Sequence, residues 1–69
     1  MFCVHKQVAH DQWVDQCCFK TEFNAYVSAT TKSIETMGTY RVYDSTFQVV
    51  TMAFDMGMEI DVGGKEAAA

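Results

Sequence analysis

The side chains best equipped for chemistry gather toward the two ends of the chain: Cys3, His5, His10, Cys17 and Cys18 in the first third, Met52, Met56 and Met58 in the last. Cys3 and His5 stand two residues apart, so on a strand they share a face, and a thiolate from Cys17 or Cys18 beside them would approach a zinc site. The spacing argues against it. There is no C-x-x-C pair, and on a helix the adjacent Cys17 and Cys18 diverge by about 100°. Packed, unpaired thiols are the simpler reading. The M-x-x-x-M-x-M array of Met52, Met56 and Met58 is a thioether set of the kind soft Cu(I) prefers, all on one face if the segment is a strand. The simpler reading is core filling by an adaptable side chain in a chain that has no Leu. A soft-metal (copper or zinc) or thiol-redox protein using Cys3, His5, Met52, Met56 and Met58 is therefore the alternative function, not the leading one.

Other chemistries find less. A nucleophilic cysteine needs a base and a loop that stabilises an oxyanion, and the glycines, at 38, 57, 63 and 64, sit where elements end and form no phosphate cradle. The chain is expected not to be an enzyme and to carry no cofactor. Asp55, Glu59 and Asp61 lack the ligand spacing of a Ca²⁺ loop and read as a solvated, charged edge of the kind that blocks unwanted strand pairing. Tyr40, Arg41, Tyr43 and Phe47 have the aromatic and basic character of a base-stacking strand, but a net charge of -4 repels phosphate backbones. Nucleic-acid binding is disfavoured. Mimicry of nucleic acid would need denser carboxylates than nine acids partly offset by five bases.

The elements that must position these groups follow from periodicity. Phe2 to Val8 alternates as a first strand. Asp11 is placed to cap a helix bearing Trp13, Val14, Cys17 and Cys18 at helical spacing. A break near Phe19 to Thr21, with Thr21 as cap, leads into the strongest stripe, Phe19, Phe23, Tyr26, Val27, Thr30, Ile34 and Met37, which predicts Phe23, Tyr26, Val27 and Ile34 as core. Gly38 is the expected left-handed C-terminal residue. Thr39 to Tyr43 alternates as a second strand, Asp44 and Ser45 form a two-residue turn, Phe47 to Asp55 reads as a strand rather than a helix, and Met58 to Val62 follows Gly57 as a short last strand. The fold class is α+β: a small antiparallel sheet of 3-4 strands against one long or kinked helical region, in the order β-α-β-β. Residues 1-62 make one domain; 63-69 form a flexible tail.

Composition bounds the rest. At 69 residues the chain is near the lower limit for one unaided hydrophobic core, so self-association is a common remedy, while 49% hydrophobic and 20% charged residues are ordinary for a globular domain. An odd number of cysteines with no apolar leader or membrane-length run points to free thiols and a soluble, cytoplasmic protein. Together these predict a small acidic protein-interaction domain of the style found among phage and mobile-element accessory proteins that inhibit or redirect a host protein. Arg41, Tyr43, Asp55, Glu59 and Asp61 are its candidate contacts, another protein its partner, and a homodimer with Tyr43 near the contact its expected state.

Overall fold

The computed structural model describes residues 1–60. The expected tail, Asp61 and Val62 lie outside the described residues. The elements are β1 (Phe2–Ala9), β2 (Gln12–Phe19), α1 (Glu22–Thr36), β3 (Thr39–Asp44), β4 (Val49–Asp55) and β5 (Met58–Ile60). They form an antiparallel five-stranded sheet in the order β2-β1-β3-β4-β5, with α1 across one face. The class is α+β as expected, but the order is β-β-α-β-β-β.

The difference lies at residues 12–19, which form a strand and not a helix. Asp11 does not cap a helix; it takes φ 65° in the tight link between Ala9 and Gln12, a left-handed conformation that Asp tolerates better than most residues. Once the chain reverses there, Gln12–Phe19 lies beside β1 and its backbone bonds into the ladder. The four-residue periodicity of Trp13, Val14, Cys17 and Cys18 has a different origin: Gln16 is an extra residue in the register against β1, a bulge between Val4↔Cys17 and His5↔Asp15. The link between β3 and β4 also differs from the expected two-residue turn. It runs over residues 45–48, held by the Asp44 carboxylate, which accepts the N–H groups of Thr46 (2.9 Å) and Phe47 (3.4 Å). Between β4 and β5, Met56 (φ 53°) and Gly57 (φ 85°) both adopt positive φ, the demand of a two-residue type I′ hairpin. A Cβ on Gly57 would come within 2.5 Å of Ile34 Cγ1, so any side chain there would be strained at this φ and would force Ile34 to shift.

Thr21 caps α1 as its position suggests, its Oγ1 accepting the N–H of Asn24 at 3.2 Å. The left-handed residue at the far end is Met37 rather than Gly38: Met37 N–H donates to the Ile34 carbonyl and Gly38 N–H to the Ser33 carbonyl, the paired bonds of a Schellman ending.

The facing of α1 overturns the expected core. Ala25, Ala29 and Ser33, four residues apart, are its buried residues, while Phe23 is 68% and Ile34 58% exposed, and Tyr26 and Val27 are exposed as well. The sheet supplies the bulk: Val4, Tyr40, Val42 and Phe54 are buried under the helix, with Phe2, Cys17, Phe19 and Met52 packed around them. Against so filled a surface only small helix residues allow close approach, and a row of large ones would hold the helix off the sheet. Tyr26 still reaches the rim of this core, edge-on to Phe54 with ring centroids 5.6 Å apart. The buried hydroxyls are satisfied. Ser33 Oγ donates to the Thr30 carbonyl (2.8 Å) and accepts the Gly57 N–H (2.9 Å), and the Tyr40 hydroxyl pairs with Thr36 Oγ1 (3.1 Å).

Candidate functional site on the uncovered sheet face

Strand alternation sends Val4, Val42 and Phe54 toward α1, and sends Cys3, His5 and Gln7 of β1, Thr39, Arg41 and Tyr43 of β3, and Trp13, Asp15 and Cys18 of β2 to the other face. No described element covers that face. His5 is at its centre, opposite Arg41 on one side and Asp15 on the other. Its Nε2–H donates to Asp15 Oδ1 at 2.7 Å, its Nδ1 accepts Arg41 Nε–H at 3.1 Å, and its ring stacks on Tyr43 with centroids 5.2 Å apart. The Arg41 side chain continues past His5 until its Cζ lies 4.3 Å from the centroid of the Trp13 ring, a cation–π contact. Trp13, Arg41, His5 and Tyr43 therefore form one interlocked cluster running over three strands.

The two bonds to His5 fix its tautomer: Nδ1 carries the lone pair and Nε2 the proton. Burial, and then the positive charge of Arg41, hold the imidazole below its ordinary value of 6.5, with Asp15 acting in the opposite sense. Arg41 is also lowered from its ordinary value by burial, with Tyr43 opposing. Among the described residues no carboxylate lies at ion-pair distance from its guanidinium, and its one side-chain hydrogen bond leaves through Nε. The terminal amino groups of Arg41 are thus free donors on a restrained arm. His5 itself offers neither a free base nor an open metal ligand, since both of its imidazole nitrogens are occupied.

Compared with protein-family models, curated proteins and solved structures, the chain has no significant match in any of the three.

The expected site residues are distributed unevenly. Arg41 and Tyr43 both belong to the cluster. Asp55 stands apart from it at the far end of β4, accepting from Thr39 Oγ1 at 3.1 Å. Glu59 pairs in register with Phe54, so it belongs to the helix side of the edge strand. The metal alternative loses its geometry. Cys3 is bonded to Cys18 across β1 and β2, His5 is fully engaged, Met52 packs against the core, Met56 sits in the hairpin turn, and Met58 pairs with Asp55 on the opposite face from Met52. Among the described residues no group of three or more His, Cys, Asp or Glu could hold a metal ion.

The expectation of three free thiols is corrected too. Cys3 and Cys18 form a disulfide, and only Cys17 is free, half-buried on the helix side with Sγ 3.6 Å from Ser28 Oγ. Trp13 and Asp15 are the functional candidates that sequence reading missed. Their period-two spacing was the available signal, and the bulge at Gln16 ended it after two steps.

Proposed function

We propose that this chain is a non-enzymatic protein-binding module whose contact surface is the uncovered sheet face, centred on Trp13, Arg41 and Tyr43. One observation carries the reading: a tryptophan, an arginine and a tyrosine are locked against one another on a face that nothing in the described chain covers. Trp, Tyr and Arg dominate the energetics of protein interfaces, and side chains already held in place lose little freedom on binding. The occupied imidazole of His5 and the inward position of Cys17 support a role that is not catalytic. No helix among the described residues is long and apolar enough to cross a membrane. The Cys3–Cys18 bond fits an oxidising setting better than the reducing one suggested by the odd cysteine count. That the target is a host protein of a virus or mobile element rests on size and acidity alone.

The test is affinity capture from extracts of the source organism with the wild-type chain, Trp13→Ala, Tyr43→Asp and the helix-surface control Glu35→Ala, each checked for folding by circular dichroism. Partners retained by wild type and Glu35→Ala and lost by the two face variants are the expected result. An unchanged set with Trp13→Ala and Tyr43→Asp would remove the face as the contact surface.

The disulfide gives the thiol-redox reading one supporting observation, because Cys18 is exposed on the edge strand. An external dithiol would attack Cys18 Sγ, form a mixed disulfide and release the Cys3 thiolate, and its second thiol would then resolve that bond. Catalysed reduction of a protein disulfide by the chain with dithiothreitol as reductant would support this reading; a rate equal to that of dithiothreitol alone would dismiss it.

A further inference from the structure

We infer that the uncovered face binds a second copy of the chain through two reciprocal ion pairs, Arg41 of each protomer with Asp15 of the other. The inference rests on the protein-binding reading and names its partner.

The face carries two charges with unused bonding capacity. The Arg41 guanidinium is restrained by Trp13 and His5 yet has no carboxylate beside it among the described residues. Asp15 is 72% exposed and uses Oδ1 toward His5, so Oδ2 is available. Within one chain the Arg41 guanidinium reaches past His5 to Trp13, and no ion pair joins it to Asp15. A two-fold axis in the plane of the face, midway between them, exchanges their positions: the cation of one protomer falls on the anion of the other, twice. That is the self-complementarity an isologous dimer requires.

The pairing also answers two costs. Arg41 is partly desolvated without a counter-ion, a penalty that an opposing carboxylate offsets with a charge-assisted bond. Two copies of a chain with net charge -4 repel one another at a distance, so association needs specific opposite charges at the contact. Sheet faces pack at about 10 Å, a spacing that Trp13 and Tyr43 can fill from both sides.

The decisive experiment is charge-swap complementation by sedimentation equilibrium at micromolar concentration. Wild type should dimerise. Arg41→Asp and Asp15→Arg, each alone, place like charges at both contacts and should each weaken dimerisation by about tenfold or more, since like-charge juxtaposition across an interface is strongly unfavourable. Mixed in equal amounts they should form a heterodimer in which both pairs are restored, one with its native residues and the other with its charges exchanged. A wild-type monomer throughout, or single variants that dimerise as wild type does, or a mixture that does not recover, would overturn the inference.

Because Arg41→Asp also removes contacts to His5 and Trp13, a second measurement uses Arg41→Lys, which keeps the charge. Treatment with a water-soluble carbodiimide should give a covalent dimer whose cross-linked peptide joins position 41 of one chain to Asp15 of the other, and its absence from a dimer that does form would place the interface elsewhere. Failure here is distinguishable from failure of the binding reading: a monomer whose captured partners still depend on Trp13 and Tyr43 is a binding module with a different occupant.

Discussion

At the scale of single residues, His5 governs how the open face responds to acid. Protonating Nδ1 would put a hydrogen where Arg41 Nε–H now donates, breaking that bond and placing two positive groups side by side, while Asp15 and the ring of Tyr43 remain against the imidazole. The folded protein therefore resists the proton, and the imidazole is held below the 6.5 it has in the unfolded chain. As pH falls below that value the unfolded state takes up more protons than the native one, so this contribution is complete above about pH 7 and declines toward the lowered folded-state value. Urea unfolding between pH 7.5 and 5.5 should show stability falling with pH, and His5→Gln should flatten the dependence. A wild-type curve no steeper than that of the variant would mean that His5 does not couple to folding. The strand alternation placed Cys3 with His5 and Arg41 with Tyr43 correctly, because period two is read from neighbours in the chain. Asp15 and Trp13 were not legible as their companions. Pairing across strands depends on hairpin register, which a turn residue in a left-handed conformation and a bulge decide together.

At the scale of elements, α1 shows why a stripe of large apolar residues does not by itself identify a buried face. Periodicity correctly located the helix, its Thr21 cap and its end near Met37. It assigned the wrong side to the core because it weighted residues by size, whereas contact with a sheet already crowded by Tyr40 and Phe54 selects for smallness. The consequence is a pair of opposite mutational outcomes. Phe23→Ala, at a site 68% exposed, should cost less than about 1 kcal/mol, in the range of surface substitutions. Ala29→Leu should cost about 2 kcal/mol or more, since the added carbons have no space between helix and sheet and overpacking forces the backbone to move. Thermal melts of the two variants beside wild type decide it, and a larger loss for Phe23→Ala than for Ala29→Leu would mean that the helix packs with its other face inward.

At the scale of the whole molecule, one covalent link ties the outer strand β2 to β1 and so secures the edge that carries Trp13 and Asp15. A small domain gains much from such a link. With a sequence separation of 15 between the cysteines, the loop it closes in the unfolded chain corresponds to roughly 3 kcal/mol, a large share of the stability of a chain this short. Unfolding in urea with and without a phosphine reductant should show a clear drop in midpoint on reduction, with the reduced chain still folded in dilute buffer. Coincident curves would show that the non-covalent contacts of β2 suffice. No reading of the cysteine spacing alone pairs Cys3 with Cys18, because Cys17 stands one residue away and only register distinguishes them.

That distinction belongs to Gln16. With strict alternation running on from Trp13 and Asp15, it is Cys17 that would arrive on the open face opposite Cys3, and Cys18 that would turn beneath the helix. The extra residue reverses the two. A hairpin that oxidised before the bulge had formed would join Cys3 to Cys17 and leave Cys18 as the lone thiol. The identity of the alkylatable cysteine, found by peptide mapping of unreduced protein, therefore labels each molecule with the geometry its first two strands had at the moment the bond was made. Material labelled at Cys17 was oxidised on the bulged hairpin; material labelled at Cys18 carries the record of a straight one.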